Sequence, residues 1–137
     1  MGAFTDFLEG KLIDELFRGI DMAPPATLYV GLFTAMPTDV GTDGTEVSGG
    51  GYARVAVPAD IANWGAPTAG DGTTSNLNDI VFPAPTANWG QVVGWGIWDA
   101  AANGNLLFYG SLTTPKTINN GDPAPKFTAG SLQVTLD

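Results

Sequence analysis

The chain has 137 residues, 44% hydrophobic and 14% charged, with 19 Gly, 10 Pro, no Cys and no His. That length is one domain by the usual prior, and a charged share well below the roughly 25% of an average domain leaves a largely neutral surface. Without His or Cys, zinc fingers, thiolate nucleophiles, Ser-His-Asp triads and disulfide frameworks are excluded, so neither catalysis nor a cofactor is expected.

Five basic residues against 14 acidic ones give a net charge of −9. Lys11, Arg18, Arg54, Lys116 and Lys126 are scattered through the sequence, whereas a phosphate backbone needs clustered cations. Nucleic acid is therefore not an expected partner, and an anionic membrane surface is disfavoured for the same reason. No stretch approaches the roughly 20 apolar residues of a membrane span. The opening Met1-Gly2-Ala3-Phe4-Thr5-Asp6 lacks the basic region of a signal peptide, and Asp6 stands where a myristoylation signal wants Ser or Thr.

From Leu8 to Ile20 the apolar Leu8, Leu12, Ile13, Leu16, Phe17 and Ile20 share one half of a helical wheel, and Lys11, Asp14, Glu15 and Arg18 fill the other. Thr5 or Asp6 is the predicted N-cap, and Arg18-Gly19 the stop. The apolar face is broad enough to need a cover, either its own domain or another chain. Pro24-Pro25 then breaks the helix. Residues 1–23 thus read as a helical segment and 24–137 as a separate β domain.

Beyond the prolines the period changes to 2. Thr27 to Thr34 reads as a strand covered on both faces, followed by strands at Tyr52 to Val57, Asn78 to Phe82, Val92 to Trp98 and Leu106 to Leu112. Shorter candidates lie at Lys116 to Ile118 and Pro125 to Phe127, and Ser131 to Leu136 closes the chain. Asn103-Gly104 supplies hairpin turn residues between the strands ending at Trp98 and starting at Leu106, with Asp99 organising that turn. Short strands separated by Gly, Pro, Asn and Asp predict a mainly β fold, an antiparallel β-sandwich or jelly roll preceded by one N-terminal amphipathic α-helix. The segment Pro37 to Gly51 holds five Gly and reads as an exposed loop of the kind that makes contacts.

Candidate chemistry is sparse. Asp39, Asp43 and Glu46, with Asp71 and Asp79 further on, read first as solvated loop acids and turn formers. Glycosidic acid/base chemistry or calcium binding would need some of them to converge. Gly49-Gly50-Gly51 lacks the Lys-Ser/Thr ending of a phosphate loop. Trp95, Trp98, Phe108 and Tyr109 are expected to pack within the hairpin and core. Arg54 is the one charge inside a strand pattern; it is expected to face outward or else to pair with Glu46. Ala62-Asn63-Trp64-Gly65 recurs as Ala87-Asn88-Trp89-Gly90. Each indole is expected to plug an end of the sandwich, or else to be exposed to a partner or a sugar.

The runs Leu28-Tyr29-Val30-Gly31-Leu32-Phe33-Thr34, Thr45-Glu46-Val47-Ser48-Gly49-Gly50-Gly51-Tyr52-Ala53-Arg54, Gly94-Trp95-Gly96-Ile97-Trp98-Asp99-Ala100, Gly104-Asn105-Leu106-Leu107-Phe108-Tyr109-Gly110 and Gly121-Asp122 carry a resemblance over nearly the whole chain. In that order they resemble a family of small virion structural proteins of tailed bacteriophages. Members are commonly labelled tail fibre proteins, and similar small β-sandwich proteins serve as capsid cement. The resemblance implies a virion structural protein. The absence of sequence repeats or a shaft favours cement on the capsid surface, bound to the major capsid protein and self-associating as a dimer or trimer, over a tail fibre or receptor-binding component. Phe7, Leu12, Leu16, Phe17, Glu46, Tyr52, Arg54, Trp64 and Trp89 are the expected partner contacts.

Overall fold

The computed structural model describes residues 2–67 and 70–136. Its elements are β1 (Gly2–Phe4), α1 (Asp6–Phe17), β2 (Thr27–Ala35), β3 (Thr45–Glu46), β4 (Val55–Pro58), β5 (Thr73–Ser75), β6 (Ile80–Val81), β7 (Gly90–Trp98), β8 (Leu106–Ile118), β9 (Lys126–Phe127) and β10 (Gln133–Thr135). The chain is mainly β, and among the described residues every strand pairing is antiparallel and the one helix is N-terminal, as the period change predicts.

The main sheet runs β1-β8-β7-β2, and the far edge of β2 is shared by β3 near Phe33–Ala35 and β4 along Thr27–Val30. One row of its register reads Phe4, Phe108, Ile97, Val30, Val55, apolar at every position. That face carries the larger core. Two small ribbons, β5 with β10 and β6 with β9, cover it through Ile80, Phe82, Phe127, Leu132 and Val134. Asn76, 1% exposed, fastens this cover: its Nδ2 donates to the carbonyls of Asn78 and Thr128, and its Oδ1 accepts from the Leu132 amide. A buried amide with both ends satisfied avoids the ~1–3 kcal/mol cost of an unpaired polar group.

The opposite face has a second, smaller core of Phe33, Trp98 and Leu106, with Tyr29, Met36 and Tyr109 against it. It exists because glycines leave room for it. Gly31 and Gly96 pair directly across β2 and β7, and a Cβ on Gly96 would lie 2.7 Å from the Phe33 ring and 2.8 Å from that of Trp98. In the Gly-Trp-Gly-Ile-Trp run Gly96 thus leaves room for the Phe33 and Trp98 rings, and Gly94 for the Met36 side chain.

Several boundaries differ from the sequence reading, each for a local reason. The helix ends at Phe17 with Arg18 as its C-cap, at the stop expected from Arg18-Gly19, and Ile20 of the apolar pattern lies beyond it, because Gly19 turns left-handed at φ +65° and the Ile20 amide folds back onto the Asp14 carbonyl. Leu106–Leu112 and Lys116–Ile118 form one strand; Pro115 is tolerated where the β7 pairing slips between Val92 and Gly94. Tyr52 to Arg54 precede β4 rather than belong to it. Strands β1, β3 and β5, of two or three residues each, are too short to show a period. The loop predicted at Pro37 to Gly51 is exposed only in part, since Thr45–Glu46 pair with β2 and Val47 is buried.

Candidate functional site

The predicted contact residues fall into two groups with opposite fates. Glu46, Tyr52 and Arg54 meet one another. The Arg54 guanidinium grips the Glu46 carboxylate through two bonds, Nε to Oε2 at 2.9 Å and Nη2 to Oε1 at 2.8 Å. Its remaining nitrogen, Nη1, donates to the carbonyls of Ala100 and Asn103 in the β7–β8 turn. The guanidinium carbon sits 4.0 Å from the centre of the Trp98 ring. Tyr52 adds a third bond to Glu46, 2.6 Å from its hydroxyl to Oε2, and the same hydroxyl accepts from the Leu32 amide. Burial, then the bond to Glu46, raises the Tyr52 hydroxyl above its ordinary pKa of 10.0.

The expectation of an outward-facing Arg54 is therefore corrected. Its side chain is 7% exposed and that of Glu46 is 24%. Bidentate geometry and ring stacking are what a guanidinium offers and an ammonium lacks. Gly31 makes the cluster possible, because a Cβ there would come within 2.6 Å of the Tyr52 hydroxyl and 2.9 Å of Glu46. The cluster clamps β3, the approach to β4 and the β7–β8 turn together. That turn has the positive φ values of Asn103 (56°) and Gly104 (70°) anticipated from its sequence, and Asp99 accepts from both the amide and the side chain of Asn105.

The two Trp-containing echoes diverge. Trp89 is 5% exposed, sits edge-on to Tyr52 and donates its indole N–H to the Gly50 carbonyl at 2.9 Å. It is a plug in the core, which corrects its assignment as a contact residue and removes one of two aromatic platforms for a sugar. Trp64 is half-buried against the same core, and its Nε1 is a buried side-chain atom with no hydrogen-bond partner among the described residues. The loop carboxylates also take separate partners. Asp39 accepts from the Tyr109 hydroxyl, Asp43 from the Thr38 amide and hydroxyl, and Glu46 from Arg54 and Tyr52. The Thr38 bonds hold Asp43 below the usual carboxylate pKa.

Helix α1 is the contrasting case. Thr5, fully buried, caps it: the Thr5 hydroxyl accepts from the Leu8 amide and donates to the Leu106 carbonyl, while the Asp6 amide reaches the Asp39 carbonyl. The helix is thus fixed at its start, to the end of β8 that follows the turn. Beyond that anchor no residue of α1 is buried. Phe7 is exposed and Leu12 half-buried, while Ile13, Leu16 and Phe17 expose 53%, 72% and 81% of their surface. Contiguous apolar exposure on this scale is what contact surfaces present.

The family model described as Gp80, Podophage GP4 fiber I protein gp80, matches residues 3–135. No curated protein matches the sequence.

Proposed function

The chain belongs to the Gp80 family of podophage fiber proteins, a family of phage virion structural proteins, and on that premise we propose that it works without catalysis, as a fibre subunit joined to its neighbours through the exposed face of α1. The observation that carries the contact role is the exposure of Ile13, Leu16 and Phe17 on a helix none of whose residues is fully buried in its own domain. Covering such side chains is worth about 1.5–3 kcal/mol each, enough for a few of them to hold an assembly. The neutral Thr, Asn and Gly loops supply fit rather than charge. The description of the family supports placement on a fibre.

A second reading is decoration or cement of the head, bound to the major capsid protein. The compact body and the lack of any sequence repeat from which a shaft could be built favour it. Gold-labelled antibody on intact virions separates the two. Label at the fibres is the expected result; label spread over the head shell would replace the fibre with capsid decoration, and no label on intact particles would overturn both.

A further inference from the structure

An apolar pocket of about 220 Å³ opens between β8 and β9, walled by Phe82, Val92, Ile118 and Phe127 and rimmed by Lys116 and Lys126. Small-molecule sites run to about 300–1,000 Å³, so this one has the size of a single large side chain. Its rim is unusual for a chain of net charge −9. Of the five cations Arg54 is engaged internally and Lys11 and Arg18 lie on α1, so the two at this pocket are all that remain on the β body. Lys126 meets Asp79 only at 3.5 Å, with both side chains about half exposed, a contact worth about 0–1 kcal/mol. Lys116 has no ion-pair partner among the described residues.

The chain also carries the complementary shape. Phe17 is the most exposed apolar side chain of α1; Asp14, one turn before it, is already paired with Arg18, and Glu15 and Asp21 are the carboxylates at this end of the helix with no ion-pair partner among the described residues. The helix cannot be seated in its own pocket here, since Phe17 is 81% exposed. It is anchored at Leu106–Leu107, the opposite end of β8 from the pocket.

We propose that the α1 helix of one copy docks on the β8–β9 pocket of a second copy, with Phe17 as the anchor and Lys116 and Lys126 facing Glu15 and Asp21, the carboxylates at the end of the helix that no cation of their own chain pairs among the described residues. An aromatic anchor in a small pocket, bordered by charges that set orientation, is the usual division of labour at a protein interface. Helix and pocket are different surfaces, so the contact is head-to-tail, and repetition of it closes a ring when the rotation permits. This rests on the contact role of α1 argued above and names its occupant.

Sedimentation equilibrium of the full chain tests it with four samples: wild type, Phe17→Ser, the Lys116→Glu/Lys126→Glu double variant, and an equimolar mixture of the two variants. The wild type associates, each variant alone associates at least tenfold more weakly, and the mixture regains a one-to-one dimer because one intact helix meets one intact pocket. Near-UV circular dichroism checks the fold, and Lys116→Ser/Lys126→Ser replaces the double variant if its fold is disturbed. A monomeric wild type, unaltered association of either variant, or a mixture that fails to pair overturns the proposal. A monomeric wild type combined with loss of Phe17→Ser from virions would leave the contact role of α1 standing while removing the second copy as its occupant.

Discussion

The Glu46–Tyr52–Arg54 cluster and helix α1 look alike in the sequence: each combines charged and large apolar or aromatic side chains at positions suited to contact. In the fold they are opposites. Every nitrogen of Arg54 already donates, to Glu46 or to the β7–β8 turn, and its flat face lies on Trp98. On α1 the ion pair of Arg18 with Asp14 stays within one helix turn on the surface, and Leu16 and Phe17 meet nothing comparable. A side chain is available to a partner only when its own domain has left its capacity unused. Substitutions in the cluster should therefore change stability, and substitutions on α1 should change assembly.

The largest expected effect is on the cluster. Arg54→Ala leaves Glu46 half-enclosed without its counter-charge and should cost about 3–5 kcal/mol in denaturant unfolding; a loss below about 1 kcal/mol would show that the clamp is dispensable. Gly31→Ala probes the same place without removing a charge. Its Cβ would press on the Tyr52 hydroxyl, Trp98 and Glu46 at 2.6–2.9 Å, an overpacking worth about 1–3 kcal/mol; wild-type stability would mean that these groups move aside freely.

Alkaline pH gives a subtler readout. Burial and the bond to Asp39 push the Tyr109 hydroxyl up to about 12, and Tyr52 is likewise raised. The folded state thus holds these protons more tightly than the unfolded chain. The stability they contribute is complete below the ordinary pKa of 10.0 and is lost as pH rises through the folded value. The denaturant midpoint should fall between pH 10 and about 12, and less so in Tyr109→Phe; identical profiles would contradict the role of Tyr109. The smallest effect on stability belongs to Leu16→Ser and Phe17→Ser, within about 0.5 kcal/mol, because neither side chain is packed. A cooperative loss of structure in either would place the helix face inside the domain.

The sequence reveals those parts of the fold in which one residue type has one job. The helix wheel, the Asn103-Gly104 turn and the alternation around Trp95 and Trp98 each have a local cause, and each lies where predicted. Strands of two or three residues carry no period, so β1, β3 and β5 are defined only by the partners they find. Identical Ala-Asn-Trp-Gly runs lead to a half-buried Trp64 and a core Trp89, because tertiary neighbours such as Gly50 and Tyr52 decide the difference. Asn76 gives no sign in the sequence of its hub role, which depends on carbonyls some fifty residues away. The Arg54–Glu46 pair was legible as an alternative; its burial required the Gly31 gap, which only pairing across the sheet reveals.

The most direct test of α1 as the virion contact is the amount of this protein on purified particles when the phage carries Leu16→Ser and Phe17→Ser together. Quantitative mass spectrometry of virions should show its level reduced at least tenfold, while the isolated double variant unfolds like wild type. Undiminished occupancy on the particles would contradict the account.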